Sequence, residues 1–350
     1  MHKVRLIILF SIICSEHSFG QNIIKGAPRN IIIITANGMG MNHIAAASLK
    51  SGDMLSWAEF PVTGFSQPWP LNGKQPSDSL IAMAIGTNKF QHTDKGTKPK
   101  TIFDLAKEEK MKTGLITTEP VTGMIPKTFV FDNTSKKDNE ALALDYLSSN
   151  LDIIIGGGSK YFDNRYDGRN LFKEFKKKGY NIKSSLSALN SPSPAKTIAL
   201  LEKDGIYRAS ERKDYLTKAA LFAMRSMAGE SGGYFLIIDD SKIEEADSLN
   251  NTPLLMEEML DIDKLVSTLV QQANGETLIV VTGNYESGGL EVKNGNMKPK
   301  SDPDITWHSK KPTAELAPVF AKGPGAEQFS GFYSQADIYK KLAGLIAERP

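Results

Sequence analysis

The chain has 350 residues, with 42 Lys and Arg residues against 40 Asp and Glu residues, a net charge of +2 and a hydrophobic fraction of 40%. This length allows one large α/β domain or two ordinary ones. The balanced charge argues against a strongly basic nucleic-acid-binding protein, so we expect no nucleic-acid partner. A single cysteine excludes a disulfide scaffold and a cysteine-based zinc site.

Residues 1–20 have the features of an export signal. A positively charged start precedes an apolar run at 6–14, which is too short to span a bilayer. Ser18 and Gly20 place small residues at the two positions that a signal peptidase reads. We therefore expect cleavage near Gly20, a periplasmic or secreted protein, and a single domain over 21–350 with no membrane span.

Short β-branched apolar runs alternate with amphipathic patterns along the rest of the chain. The runs predict strands at 31–34, 113–118, 151–155, 234–238, 277–282 and 317–321. The amphipathic patterns predict helices at 41–50, 101–109, 213–229, 253–274 and 335–347. Continuous apolar strands that alternate with helices indicate an α/β fold, in which helices cover both faces of a mostly parallel sheet. The polar stretch at 159–200 is predicted to be peripheral.

The segments that follow the predicted strands resemble motifs of the alkaline phosphatase family, in that family's order. PRNIIIITANGMG at 28–40 is similar to the first strand and the G-D-G-M-G turn, and Ser77-Asp78-Ser79 to the T-D-S nucleophile turn. The other matches are TGLITTEPVTGMIP at 113–126, DIIIGGG at 152–158, YFLIIDDSKIE at 234–244, TLIVVTGNYESGG at 277–289 and WHSKKPTAELAPVFAKGPG at 307–325. The resemblance implies the alkaline-phosphatase-like three-layer sandwich and a homodimer.

The resemblance also implies a set of site residues. In this family a serine attacks a phosphomonoester, two zinc ions stabilise the attacking and leaving oxygens, a magnesium ion lies beside them, and an arginine holds the phosphate. Carried over to this sequence, the nucleophile position is Ser79 and the phosphate-contact position is Lys136. The acidic metal positions that are retained are Asp239 and Glu244.

Most of the family's other metal positions carry residues that do not hold zinc. They are Asn37, Gly123, Ile125, Ser248, Asn284, Tyr285 and Pro312. Two neutral amides supply no charge to a metal ion, and proline and isoleucine have no ligating side-chain atom. The three histidines beyond the export signal, which are His43, His92 and His308, all miss the family's histidine positions. The resemblance therefore implies that the two-zinc mechanism is lost, with Tyr285 and Trp307 filling the space of the ions.

Three hypotheses follow for the function. The main one is an exported, catalytically degenerate pseudophosphatase without a bound metal, which acts as a phosphate- or sulfate-binding module or as a scaffold. The alternative is an active phosphomonoester or related ester hydrolase with Ser79 as nucleophile and a remodelled metal site. That site would hold a single divalent cation, Mg²⁺ or Zn²⁺, at Asp239, Asp240 and Glu244, with His308 as a substitute ligand. The third is a structural partner in an envelope complex. As an alternative to nucleophilic catalysis, Ser79 caps the helix that follows its turn or makes a simple contact with an anion.

Overall fold

The computed structural model describes residues 26–68, 82–86, 100–131, 138–229, 231–293, 300 and 302–349. The predicted export signal lies outside the described residues, and its cleavage stays a prediction. None of the helices in the described part of the chain is long and apolar enough to cross a membrane.

The described residues form strands and helices in an alternating order. The strands are β1 (Asn30–Ala36), β2 (Val62–Gln67), β3 (Lys112–Pro120), β4 (Ile153–Gly157), β5 (Asn181–Lys183), β6 (Thr197–Leu200), β7 (Tyr234–Asp240), β8 (Thr277–Thr282), β9 (Leu290–Val292), β10 (Ile305–Trp307), β11 (Ala317–Lys322) and β12 (Gly331–Ser334). The α-helices are α1 (Met41–Ser51), α2 (Ile102–Glu108), α3 (Met124–Val130), α4 (Asn139–Ser149), α5 (Lys160–Asp163), α6 (Leu171–Lys177), α7 (Ala209–Arg212), α8 (Tyr215–Met227), α9 (Lys242–Leu249), α10 (Thr252–Gln272) and α11 (Gln335–Ala347).

Ten of these strands form one sheet in the order β12-β2-β11-β8-β1-β7-β3-β4-β6-β5. Strand β11 runs antiparallel to both of its neighbours, and the other neighbouring strands of the sheet are parallel to each other. Strand β1 lies between β7 and β8, with Ile34 opposite Ile238 on one side and Val281 on the other. The carboxyl ends of β1, β7, β8 and β3 therefore meet at one edge of the sheet.

Both faces of the sheet are covered, because alternate residues of its strands enter two separate cores. Ile32 and Ile34 pack with helices α1, α8, α9 and α10, whereas Ile31 and Ile33 pack with α2, α3, α4, α6 and α11. This alternation follows from the two-residue repeat of a strand, and it explains why β1 is apolar on both faces. The predicted three-layer α/β fold is confirmed.

The long apolar strands and amphipathic helices predicted from the sequence are all present, whereas several shorter strands were missed. The segment 159–200, which was predicted to be peripheral, supplies β5 and β6 and so forms one edge of the sheet. At the other side, β2 has the mixed sequence VTGFSQ, and its residues alternate between buried and exposed or half-buried positions. Short strands at a sheet margin have weak apolar patterns, so they resemble loops in the sequence.

A buried arginine connects the carboxyl end of β7 to helices α7 and α10. Arg212, at the end of α7, is 5% exposed. Its Nη2 atom lies 3.1 Å from Asp240 Oδ2, 2.9 Å from Glu258 Oε2 and 2.7 Å from Asp261 Oδ2. Three carboxyl groups around one cation leave an excess of negative charge. Burial and then the charge of Asp240 raise the pKa of Glu258 to about 8, although Arg212 opposes this rise.

Replacement of this arginine should destabilise the fold strongly. We expect Arg212→Met to lower the free energy of unfolding by about 3–5 kcal/mol, because buried Asp240 and Glu258 and half-buried Asp261 lose the cation that they share among the described residues. Urea unfolding followed by circular dichroism measures the change. Arg225→Met, at an exposed position of α8, is the matched control and should stay within about 0.5 kcal/mol of wild type. Equal losses for the two variants would contradict the structural role of Arg212.

Stability should also depend on pH through Glu258. Its folded-state pKa of about 8 lies above its ordinary value of 4.5, so the folded chain keeps a proton that the unfolded chain releases between these values. The stabilisation is complete below pH 4.5 and is lost as the pH rises through about 8. We expect Glu258→Gln to flatten this decline in urea unfolding series from pH 5 to 9. The exposed neighbour variant Glu257→Gln should keep the wild-type slope, and a Glu258→Gln slope identical to it would count against the prediction.

Candidate functional site

A chain of hydrogen bonds joins the ends of β1, β7 and β8. Asn37 Nδ2 donates to Asp239 Oδ1 at 2.6 Å and to the Asp240 carbonyl oxygen at 3.1 Å. Because both acceptors are oxygens, Asn37 must present its own Oδ1 to the other side, where it accepts from Asn284 Nδ2. All three side chains are buried. The three strand ends are thus held together by side-chain amides and one carboxyl group.

Both oxygens of Asp239 are occupied by protein donors. Thr35 Oγ1 donates to Oδ1 at 2.9 Å, beside the Asn37 amide, and Thr117 Oγ1 donates to Oδ2 at 2.7 Å. Burial raises the pKa of Asp239 to about 7, even though these hydrogen bonds favour the ionised form. Neighbouring strands therefore supply to this carboxyl group the contacts that a metal ion would otherwise make.

Tyr285 makes the equivalent contact at the second retained carboxyl group. Its Oη donates to Glu244 Oε2 at 2.7 Å, and the tyrosine side chain is buried. Burial raises the pKa of Glu244, whereas the tyrosine hydrogen bond lowers it. The Trp307 ring packs close to Gly288, and its Nε1 donates to Thr252 Oγ1 at 3.2 Å. Of the two aromatic residues expected to fill the site, Tyr285 is the one that contacts a retained acidic position.

Glu119, at the end of β3, is a site residue that the sequence interpretation missed. Burial and then the charge of Asp239 raise its pKa to about 8, and the backbone N–H of Ile125 donates to its carboxylate. Gly123 makes room for it, because a Cβ atom at that position would clash with Glu119 Oε2. The sequence does contain a signal for this contact. Gly123 stands where the family motif has histidine, and Glu119 precedes it by four residues.

A buried histidine–aspartate pair lies beneath the site and was also missed. The Gly40 backbone N–H donates to His43 Nδ1 at 3.1 Å, so Nδ1 is an acceptor and Nε2 carries the hydrogen. Nε2 then donates to Asp247 Oδ1 at 3.1 Å, and both side chains are completely buried. Burial raises the pKa of Asp247 to about 6. The pair holds the start of α1 against α9.

The remaining predicted positions are dispersed. Ser248 is exposed, and its Oγ donates to the Glu245 carbonyl oxygen. Ile125 belongs to the core, and Pro312 forms an isolated bridge with Ser287. His308 Nε2 lies 2.6 Å from Glu291 Oε2 at the surface, so the proposed substitute ligand has a different partner. The nucleophile and phosphate-contact positions, Ser79 and Lys136, lie outside the described residues, and their roles stay predictions.

The residues present do not fit the family's metal ions. Within the described ranges, no group of three or more His, Cys, Asp or Glu side chains is placed to hold a metal. The three acidic residues expected to share one cation instead take different partners: Asp239 the Asn37 amide, Asp240 the Arg212 guanidinium, and Glu244 the Tyr285 hydroxyl. Moreover, Asn37 directs N–H rather than oxygen at Asp239, so the two cannot ligate a common ion in this arrangement.

The Tyr285 hydroxyl should stabilise the fold through Glu244. We expect Tyr285→Phe to lower the free energy of unfolding by about 1–3 kcal/mol, because a half-buried carboxyl group loses its donor. Chemical denaturation measures the loss, with Tyr207→Phe at a 54% exposed position as the control. If the two variants were equally stable, Tyr285 would be a space-filling residue without an energetically important hydrogen bond.

Known proteins match both the sequence and the fold. A family model for alkaline phosphatase matches residues 28–303. Alkaline phosphatase 4 of Bacillus subtilis is 26% identical over 341 residues, covering 90% of this chain and 73% of the relative. Alkaline phosphatase 3 of the same organism is 26% identical over 292 residues, covering 75% of this chain and 62% of the relative. The structure of alkaline phosphatase from the Antarctic bacterium TAB5 superposes with a TM-score of 0.82 at 24% identity, over 93% of this chain and 100% of that one. The chain belongs to the alkaline phosphatase family.

Proposed function

We propose that this protein is a catalytically degenerate member of the alkaline phosphatase family, which binds a ligand or partner without the two-zinc mechanism. One observation carries the proposal: the positions that correspond to metal ligands are hydrogen-bonded directly to one another. Asn284 donates to Asn37, Asn37 donates to Asp239, and Tyr285 donates to Glu244. These contacts use the same atoms that would bind the ions.

Loss of the metal pair removes the two effects on which phosphomonoester hydrolysis by a serine depends. One ion would stabilise the serine alkoxide at neutral pH, and the other would stabilise the leaving oxygen. A serine hydroxyl is a weak nucleophile without a metal or an adjacent base. Among the described residues the histidine closest in sequence to the first motif, His43, is buried against Asp247 and does not offer such a base.

One observation favours the alternative of an active hydrolase. The pKa of Asp239 is raised to about 7 and that of Glu119 to about 8. Carboxyl groups that titrate near neutral pH are typical of general acids and bases. Under this second hypothesis the protein hydrolyses a phosphomonoester or related ester, with Ser79 as nucleophile and a remodelled site around these carboxyl groups.

We further propose that the protein is exported, with cleavage near Gly20, and that it forms a homodimer. The composition of the first 20 residues supports export, and the family resemblance supports the dimer. A phosphate or sulfate ligand also stays a proposal, supported by Ser79 and Lys136. The carboxyl groups of Glu119, Asp239 and Glu244 oppose it, because like charges repel when these groups are ionised.

Metal content and turnover together test the loss of the two-zinc mechanism. We expect the purified mature protein to contain far less than one zinc ion per chain by mass spectrometry. We also expect wild type and Ser79→Ala to be equally inactive on p-nitrophenyl phosphate with added Zn²⁺, Mg²⁺, Mn²⁺ or Ca²⁺. About two zinc ions per chain, together with turnover that a chelator abolishes, would overturn the proposal. Turnover that requires Ser79 but no zinc would support the active hydrolase instead.

A further inference from the structure

Several buried acceptor oxygens around the strand ends have no donor among the described residues. Within the described part of the chain, Glu119 Oε2 and Asn284 Oδ1 are buried and have no hydrogen-bond donor, and the same holds for Gln335 Oε1. Buried polar atoms in proteins are satisfied in the great majority of cases, so unpaired ones at a single site indicate a missing partner. Oxygen acceptors require a partner that brings hydrogen-bond donors or positive charge.

The orientation of the two amides follows from their neighbours. Asn284 is 1% exposed, and its Nδ2 must donate to Asn37 Oδ1 because Asn37 already directs its own N–H groups at Asp239 and at the Asp240 carbonyl. Gln335 Nε2 donates to the Asn284 carbonyl oxygen at 2.6 Å and to Ser66 Oγ at 3.0 Å. Each amide therefore has its nitrogen engaged and its oxygen free.

The surrounding charge has the same sign as these acceptors. The Glu119 backbone N–H donates to Thr117 Oγ1 at 3.0 Å, and the same hydroxyl donates to Asp239 Oδ2 at 2.7 Å, so Glu119 lies next to Asp239. The charges of Asp239 and Glu244 both contribute to the raised pKa of Glu119. Lys242 also affects Glu119, but its ammonium group donates to Glu245 Oε2 at 2.7 Å and forms an ion pair there. We refer to Glu119, Asp239, Glu244 and Asn284 as the acceptor cluster. The side chains that define it bring three carboxyl groups and a free amide oxygen.

We propose that the acceptor cluster binds a ligand that carries a primary ammonium group. Such a group offers three N–H donors and one positive charge on a compact centre, which matches free oxygens beside carboxylates. A phosphate brings no positive charge and would face Glu119 and Glu244, which are half-buried at the site. The inference rests on the proposed absence of zinc, because a zinc pair would occupy the same oxygens.

Methylammonium and tetramethylammonium test this proposal, because they share a charge and differ in N–H donors. We expect methylammonium to raise the thermal unfolding temperature of the wild-type protein in a saturable manner, and tetramethylammonium at equal ionic strength to have no such effect. Isothermal titration calorimetry should show that Glu119→Gln weakens methylammonium binding by about tenfold or more, since a charge-assisted hydrogen bond is lost. Glu257→Gln, which changes an acidic residue at an exposed position of α10, should leave binding unchanged.

Several results would overturn the ligand class. They are a flat methylammonium titration, equal responses to the two cations, binding that Glu119→Gln does not alter, and binding of inorganic phosphate or Mg²⁺ in preference to methylammonium. These failures are distinguishable from failure of the proposed function, which the zinc content decides separately. A zinc-free protein with no methylammonium response overturns only the inference, whereas a protein loaded with zinc overturns both.

Discussion

The parallel register of β1 between β7 and β8 is the constraint on which the site depends. Because the three strands run in the same direction, Asn37, Asp239 and Asn284 leave the sheet at one edge and come within hydrogen-bonding distance. A substitution at one strand end therefore changes the hydrogen bonds of the neighbouring strand ends. These direct contacts between strand ends satisfy buried polar groups, which are costly without partners.

Several carboxyl groups lie at this edge, and their negative charge is compensated in several ways. Asp239 receives hydroxyl and amide donors, Glu244 receives a phenol, and Asp240 receives the buried guanidinium of Arg212. Burial and the charge of Asp239 raise the pKa of Glu119 to about 8, and a positive charge placed beside this carboxyl group would lower the pKa and favour the carboxylate. Neutral donors and one internal cation thus compensate the charge of the other three carboxyl groups.

The sequence was most informative where a residue's chemistry follows from a long, regular element. The isoleucine run of β1 predicted a strand buried on both faces, and all seven residues of the strand are buried. The sequence was least informative where a contact joins two segments that are far apart in the chain and have no common sequence pattern. His43 and Asp247 are 204 positions apart in the sequence. Glu119 is recognised as a site residue only from the fold, in which the turn of the chain places Gly123 beside it. Short strands such as β5 were not predicted for a related reason, because three residues are too few to show a hydrophobic periodicity.

The packing of Gly123 against Glu119 limits which side chains this turn can accept. A Cβ atom at position 123 would enter the space of Glu119 Oε2 and would also approach the Pro120 carbonyl oxygen, so a larger residue must displace the carboxyl group. Tyr285 sets a second limit, because its replacement by histidine would remove the hydroxyl that donates to Glu244. A histidine introduced at either position alone would therefore break a contact that the present chain makes.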